Sequence, residues 1–323
     1  MNVAVLAYKN CLVSAVSGVL EIFSIANSIS QDSNGDRFSG LSILSPDGED
    51  VSGFVGIPLQ VAGSLLDTRP DILIMPPVFG EVELLLENER LIKRIAELGE
   101  QGTILASVCA GSFLIAQAGL LDGKPSTTHW KLASDFSARF KDVDLQPRRM
   151  LIDGGGYICA GGAMAWQDLA LHVVARFMGR DISSACAKTL VMDSTRDVQT
   201  PYFMFESKSL DEGFADKDIL RVQTWMQENY SRSVSIKILA EQSGLGERTF
   251  LRRFKQVTGM TPNHYLQQFR IESARHLLEV SVKGVDEITA LVGYDNPSSF
   301  RRLFKRMTGL SPREYRSRFS RVE

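Results

Sequence analysis

The sequence predicts two domains of different class: a doubly wound α/β domain over residues 1–195 and an all-α domain with two helix-turn-helix motifs over residues 218–323, joined by a linker at 196–217. Three observations predict this division. Apolar runs alternate with amphipathic stretches through the first 195 residues, which is the pattern of strands and crossover helices. A sixteen-residue block recurs in the last third at an offset of 50 residues. The charge also changes sign along the chain. Residues 218–323 hold 18 Lys+Arg against 11 Asp+Glu, a net +7. That leaves 18 basic and 27 acidic groups before them, a net −9. A polyanion is repelled by the first part and attracted by the second.

In chain order, residues 3–7, 41–45, 72–75 and 104–108 read as strands. Three of them (3–7, 72–75, 104–108) are apolar throughout but for Ser107, as parallel strands covered on both faces must be. Helices are expected at 16–28, 82–98, 112–118, 131–140 and 166–178. No run of about 18 uninterrupted apolar residues suggests a membrane span. The first residues lack a basic leader, so they read as a buried strand and not a secretion signal. Cys11, Cys109, Cys159 and Cys186 are scattered without metal-ligand spacing. That pattern suits a reducing cytoplasm, with no disulfide framework, no metal and no cofactor expected.

One junction has the pattern of a reactive site. The strand at 104–108 runs without a loop into Cys109-Ala110-Gly111-Ser112. A residue caught between a buried strand and a helix is forced into a sharp turn, its side chain exposed at the carboxyl edge of the sheet. This is the nucleophile-elbow geometry, with Gly111 giving clearance. The helix N-terminus behind Cys109 favours the thiolate. Twenty residues on, His129 is available as a base or hydrogen-bond partner. Spacing alone favours a buried structural cysteine, and a lone histidine usually has a structural role too.

The linker is charged and polar at both ends, with Tyr202, Phe203 and Phe205 between. Exposed aromatics tend to dock. The expected place is the first domain; docking elsewhere would let them couple ligand state to the placement of the second domain.

The repeat sets 250–265 beside 300–315, with Phe, Arg, Phe, Lys, Thr-Gly, Pro and Tyr in register. In the first copy Ser235 caps a helix through Ile236, Leu239 and Ala240, and Gly244 supplies a tight turn. A second helix from Glu247 buries Phe250, Phe254 and Val257 at i, i+4, i+7. Arg248, Leu251, Arg252 and Lys255 fall largely on its other side. In the second copy Asp286 opens a helix, Gly293-Tyr294 turns, and Asn296 caps a helix that starts at Pro297. Phe300, Phe304 and Met307 form its buried stripe, and Ser298, Arg301, Arg302 and Lys305 look outward. Residues 263–279 form one connecting helix with Leu266, Phe269, Ala274, Leu277 and Leu278 facing inward. A helix, a short turn and a basic helix make a unit that enters the major groove, where arginine bonds guanine edges or phosphates. Two such helices about 34 Å apart meet successive major-groove faces.

The run "VGYDNPSSFRRLFKRMTGLSPREYR" at 292–316 resembles the hallmark of the AraC/XylS family, and the likeness extends over 219–319. It implies seven helices and two readers. The positions it carries over as groove-facing are Arg248, Leu251 and Arg252 in the first reader, and Ser298, Ser299, Arg301 and Arg302 in the second. Leu251 departs from a polar reader and suits a thymine methyl or plain packing. The run "SVCAGSFLIAQAGLLDGKPSTTHW" at 107–130 resembles the elbow of PfpI-type proteins, within the class I glutamine-amidotransferase-like superfamily. That likeness covers roughly residues 1–190 and implies a flavodoxin-like sheet with Cys109 and His129 at one pocket. The acidic residue that poises the thiol in those enzymes aligns with Ser14 or Ala15, and Glu21 comes about two turns too late. A complete triad, and so an enzyme, is therefore not expected.

Together the halves resemble the GlxA-type AraC regulators. That resemblance implies a transcriptional activator, dimeric through its first domain, that binds promoter half-sites in double-stranded DNA and contacts RNA polymerase. It also implies a small effector: an amino acid, amine or betaine. Phe79, Phe113 and Trp130 suit a quaternary ammonium. Two rival readings are a cysteine hydrolase or hydratase with a DNA tether, and a redox sensor working through Cys109.

Overall fold

The computed structural model describes residues 1–30, 37–80, 82–193, 196–205 and 216–321. Of the expected linker, 206–215 lies outside the described residues. The chain separates into two compact units, Met1–Gln199 and Thr200–Glu323.

The first unit is built on one sheet. Among the described residues its strands are β1 (Asn2–Leu6), β2 (Gly40–Ser45), β3 (Gly63–Ser64), β4 (Ile72–Met75), β5 (Ile104–Val108), β6 (Leu151–Asp153) and β7 (Tyr157–Ala160). They lie in the order β6-β7-β5-β4-β1-β2-β3. Every neighbouring pair is parallel except β6 with β7. The apolar runs are the central strands β1, β4 and β5, buried on both faces as expected. The sequence reading omits β6 and β7. They are short and flank the Gly154-Gly155-Gly156 turn, which hides their pairing from a periodicity test.

Seven helices of this unit bear on the site or the core. α1 (Val13–Ser30), α2 (Glu83–Leu86), α3 (Glu89–Glu100) and α4 (Ser112–Gln117) precede α5 (Ala133–Arg139) and α6 (Trp166–Met178), and α7 (Arg180–Thr189) follows. The single helix expected at 82–98 is broken. The Asn88 side chain accepts the Leu91 amide hydrogen at 3.1 Å and starts α3 afresh. A local cap of this kind stabilises by about 1 kcal/mol and wins over a continuous apolar pattern. Among the described residues α1 alone is long and apolar enough to cross a membrane, and half of it is buried inside the unit. Its Gly18 leaves room for the Trp166 ring; a Cβ there would stand 2.5 Å from that indole.

The second unit carries α8 (Lys217–Asn229), α9 (Ile236–Ser243), α10 (Glu247–Thr258), α11 (Pro262–Val280), α12 (Val285–Leu291), α13 (Pro297–Thr308) and α14 (Pro312–Phe319). The two copies of the repeat build two cores. Phe250, Phe254, Leu239, Ala240, Tyr265 and Leu266 form the first; Phe300, Phe304, Ile288, Ala274, Leu278 and Tyr315 form the second. α11 contributes to both, which makes it the connector. The caps fall where the residue types require them. Ser235 accepts from the Ile238 amide and Asn296 from the Ser299 amide, and Gly244, Gly259 and Gly309 close their helices in the left-handed region. At the second turn, Gly293 (φ 83°) approaches the backbone of Ser231 so closely that a Cβ would stand 2.6 Å from its carbonyl oxygen. Only glycine meets both demands.

The linker aromatics correct one expectation. Residues 200–205 belong to the second unit. Tyr202 sets its ring edge-on to Phe319 at 5.6 Å, and Phe205 sets its ring edge-on to Tyr265 at 5.0 Å. These rings find their own helical unit because Tyr265 and Phe319 leave apolar faces open at the margins of the two cores.

Candidate functional site

The elbow forms as its sequence requires. β5 ends at Val108, Cys109 takes φ 57°, and a 3-10 turn Cys109–Gly111 leads into α4. The turn presses on the end of β4, where a Cβ on Gly111 would stand 2.4 Å from the Met75 carbonyl oxygen. The Cys109 carbonyl accepts hydrogen bonds from Ser112 Oγ at 3.0 Å and Thr128 Oγ1 at 2.9 Å. The loop that bears His129 is thereby tied to the elbow.

The surroundings of the two side chains differ from those of an exposed nucleophile and base. Cys109 is only 7% exposed. Burial pushes its thiol up to about 12, against a smaller opposing contribution from the Ala110 amide. Desolvation outweighs the helix N-terminus, because α4 is short and the thiol is shut away from water. His129 does not share a hydrogen bond with Cys109 among the described residues. Its Nδ1 accepts the Lys131 amide hydrogen at 3.1 Å and so caps its own turn. Burial, then the charge of Lys131, holds the imidazole below its usual range, so it is neutral at pH 7. The first turn of α1, where Ser14 and Ala15 sit, carries no acidic residue.

This protonation state has a measurable consequence. With its thiol buried and its pKa raised by desolvation, Cys109 in the native chain should resist alkylation far more than a free cysteine. Peptide-resolved labelling with iodoacetamide should show the rate still rising above pH 9. Labelling at pH 7 as fast as in the urea-unfolded chain would contradict a protonated thiol. The same shift fixes a sign for stability. Between about 9 and 12 the unfolded chain releases this proton and the folded one keeps it, so stability falls as pH rises through that window.

The expected aromatic cage is not assembled. Phe113 is a core ring, edge-on to Phe136 at 4.9 Å. Phe79 stacks on Phe54 at the surface, and the Trp130 ring already holds the Lys131 ammonium at 5.4 Å. A separate open groove of about 900 Å³ runs along the β6 edge, lined by Gln146, Arg149, Asp153, Asp168, His172 and Arg196. Ion pairs already engage much of its lining: Asp153 with His172 and Arg176, and Asp168 with Arg196.

One side chain beside the elbow escaped the sequence reading. Gln199 is buried, and its Nε2 approaches the carbonyl oxygens of Thr128, Pro147 and Arg149 at 2.9–3.1 Å. It lies over Gly161, where a Cβ would stand 1.9 Å from that nitrogen. Gly161 directly follows Ala160, the partner of Val108 in the sheet, so Gln199 sits at the same carboxyl edge as Cys109. No motif marks a lone glutamine near a linker.

In the second unit all seven groove-facing candidates are exposed: Arg248, Leu251 and Arg252 on α10, and Ser298, Ser299, Arg301 and Arg302 on α13. Leu251 is 38% exposed, so it does not pack as a core residue. The opposite faces of both helices are fixed by fully buried phenylalanines. Arg302 donates to Ser299 Oγ at 3.3 Å, and Arg301 pairs with Asp286. An exposed pair of that kind contributes about 0–1 kcal/mol and yields readily to a phosphate. Arg253, although inside the basic run, turns away. It pairs with Asp216, which also caps α8, and the Arg253 guanidinium holds that carboxyl below the usual range.

Residues 38–176 match the DJ-1/PfpI family, and residues 239–318 match a helix-turn-helix domain. The HTH-type transcriptional regulator GbdR of Pseudomonas aeruginosa is 26% identical over 200 residues. These cover 62% of this chain and 54% of GbdR, so the chain spans about half the length of that relative. The HTH-type transcriptional regulator CdhR of the same organism is 25% identical over 258 residues, covering 80% of this chain and 76% of CdhR. Among solved structures, an AraC family transcriptional regulator from Pseudomonas putida superposes with a TM-score of 0.51 at 20% identity. It covers 58% of this chain and 98% of that one, and at such identity the likeness speaks for the fold alone.

Proposed function

We propose, from the premise that this chain joins a DJ-1/PfpI domain to an AraC-type helix-turn-helix domain, that it is a sequence-specific DNA-binding transcription regulator. One observation carries the reading. Two equivalent helices, α10 and α13, each bury a phenylalanine pair and present exposed arginines at the same register, Arg252 and Arg302. Burial of Phe250, Phe254, Phe300 and Phe304 fixes which face of each helix is left for DNA. The first domain is assigned a sensing role: it takes a small effector, an amino acid, amine or betaine, at the carboxyl edge near Cys109 and His129. Binding shifts the population of two arrangements. A homodimer through that domain and contact with RNA polymerase complete the reading, with activation as the output.

Catalysis is not part of this proposal. Burial raises the Cys109 thiol and His129 Nδ1 accepts the Lys131 amide hydrogen, so the reading assigns this pair to ligand sensing.

The test is retention of duplex DNA by the full chain, followed by selection of a preferred sequence from a random pool. Affinity for the selected duplex is expected to fall about 10³-fold or more between 50 and 200 mM salt, as phosphate-contacting basic side chains release counterions. Failure to hold any duplex at 50 mM salt would remove the regulator reading.

A further inference from the structure

Arg275 lies in the middle of α11 and is 5% exposed. Its Nη2 donates to the Thr200 carbonyl at 3.1 Å, and its Nη1 donates to the Phe203 carbonyl and to Glu272 Oε2, the latter at 3.2 Å. The guanidinium sits 5.7 Å from the Tyr315 ring. Glu272 also accepts the Phe205 amide hydrogen at 3.4 Å. A buried arginine is tolerated only when acceptors replace its water. Here two of those acceptors are backbone carbonyls of one short segment, 200–205. The ends of that segment reach different cores. Phe205 packs on the first helix-turn-helix core, and Tyr202 lies against Phe319 beside the second.

We propose that residues 200–205 are a brace that fixes the two DNA-reading helices at one separation, with Arg275 as its latch. The inference rests on the regulator reading for its consequence, but not for its geometry. α11 joins the cores along one line, Tyr230 packs against both and Gly293 sits on the Ser231 backbone, and a further tie at 200–205 removes the remaining bending and twist between them. The brace begins one residue after Gln199, whose side chain is held inside the first unit at the edge that carries Cys109. Arg275 is a positioning residue: it touches no DNA, and it sets where the arginines of α10 and α13 stand.

Two measurements on the full chain decide the matter. Spin labels at Lys255→Cys and Lys305→Cys, both exposed, report the α10-to-α13 distance. One narrow distribution is expected in the parent and a broadened one in Arg275→Met and in Tyr202→Ala; an unchanged distribution in Tyr202→Ala overturns the brace even if Arg275→Met fails to fold. Binding is then compared on the selected duplex and on one cut to a single half-site. A loss of about tenfold or more on the double site, with the single site within twofold, supports the brace. Equal losses on both, or none, overturn it. A parent chain that binds neither duplex but keeps its narrow distribution refutes the regulator reading alone.

Discussion

Phe304→Ala is expected to destabilise the helical unit by about 3–5 kcal/mol, the range for deleting a fully buried aromatic ring. Phe304 has no exposed surface. Its ring meets Tyr315 edge-on at 5.5 Å and Phe300 at 5.7 Å, so one truncation opens a gap against both neighbouring rings. The surrounding helices cannot close that gap easily, because α13 is capped by Asn296 at one end and Gly309 at the other. Thermal unfolding followed by circular dichroism should show the helical signal melting many degrees early, with binding to the second half-site failing above that lowered temperature. A variant within about 1 kcal/mol of the parent would mean that Phe304 does not hold the second core.

Arg252→Ala and Arg302→Ala are each expected to weaken binding to the selected duplex by about 1–3 kcal/mol, and the pair together by about 2–6 kcal/mol. The expectation comes from their matched register on α10 and α13 and from their exposure. If each bonds a guanine edge, the loss is confined to the selected sequence and binding to random duplex is nearly unchanged. Equal losses on both duplexes would assign the two arginines to phosphates. Arg253→Ala serves as the control. Its guanidinium is held by Asp216, so its removal should lower thermal stability and leave the sequence preference intact.

Much of this was legible in the chain itself. The 50-residue repeat, Ser235 and Asn296 as caps, and the apolar strands at 72–75 and 104–108 are local patterns, and the structure places them where those patterns do. The elbow was equally legible, since a buried strand running straight into a helix leaves Cys109 no other backbone. Strands β6 and β7 were not legible, because their pairing depends on a glycine turn and on neighbours far away in sequence. The Asn88 break was legible in principle, as an N-cap residue inside an apolar run, but the run concealed it.

The sequence by itself determined the two domain classes, the two arginine-bearing helices and the turn at Cys109, because periodicity, capping and backbone sterics act within a few residues. Only the tertiary structure decided that the Cys109 thiol is buried, that His129 serves its own turn, and that residues 200–205 join the helical unit through Arg275. Those outcomes depend on which atoms exclude water and which carbonyls face a buried charge, and these atoms lie up to 75 residues apart along the chain.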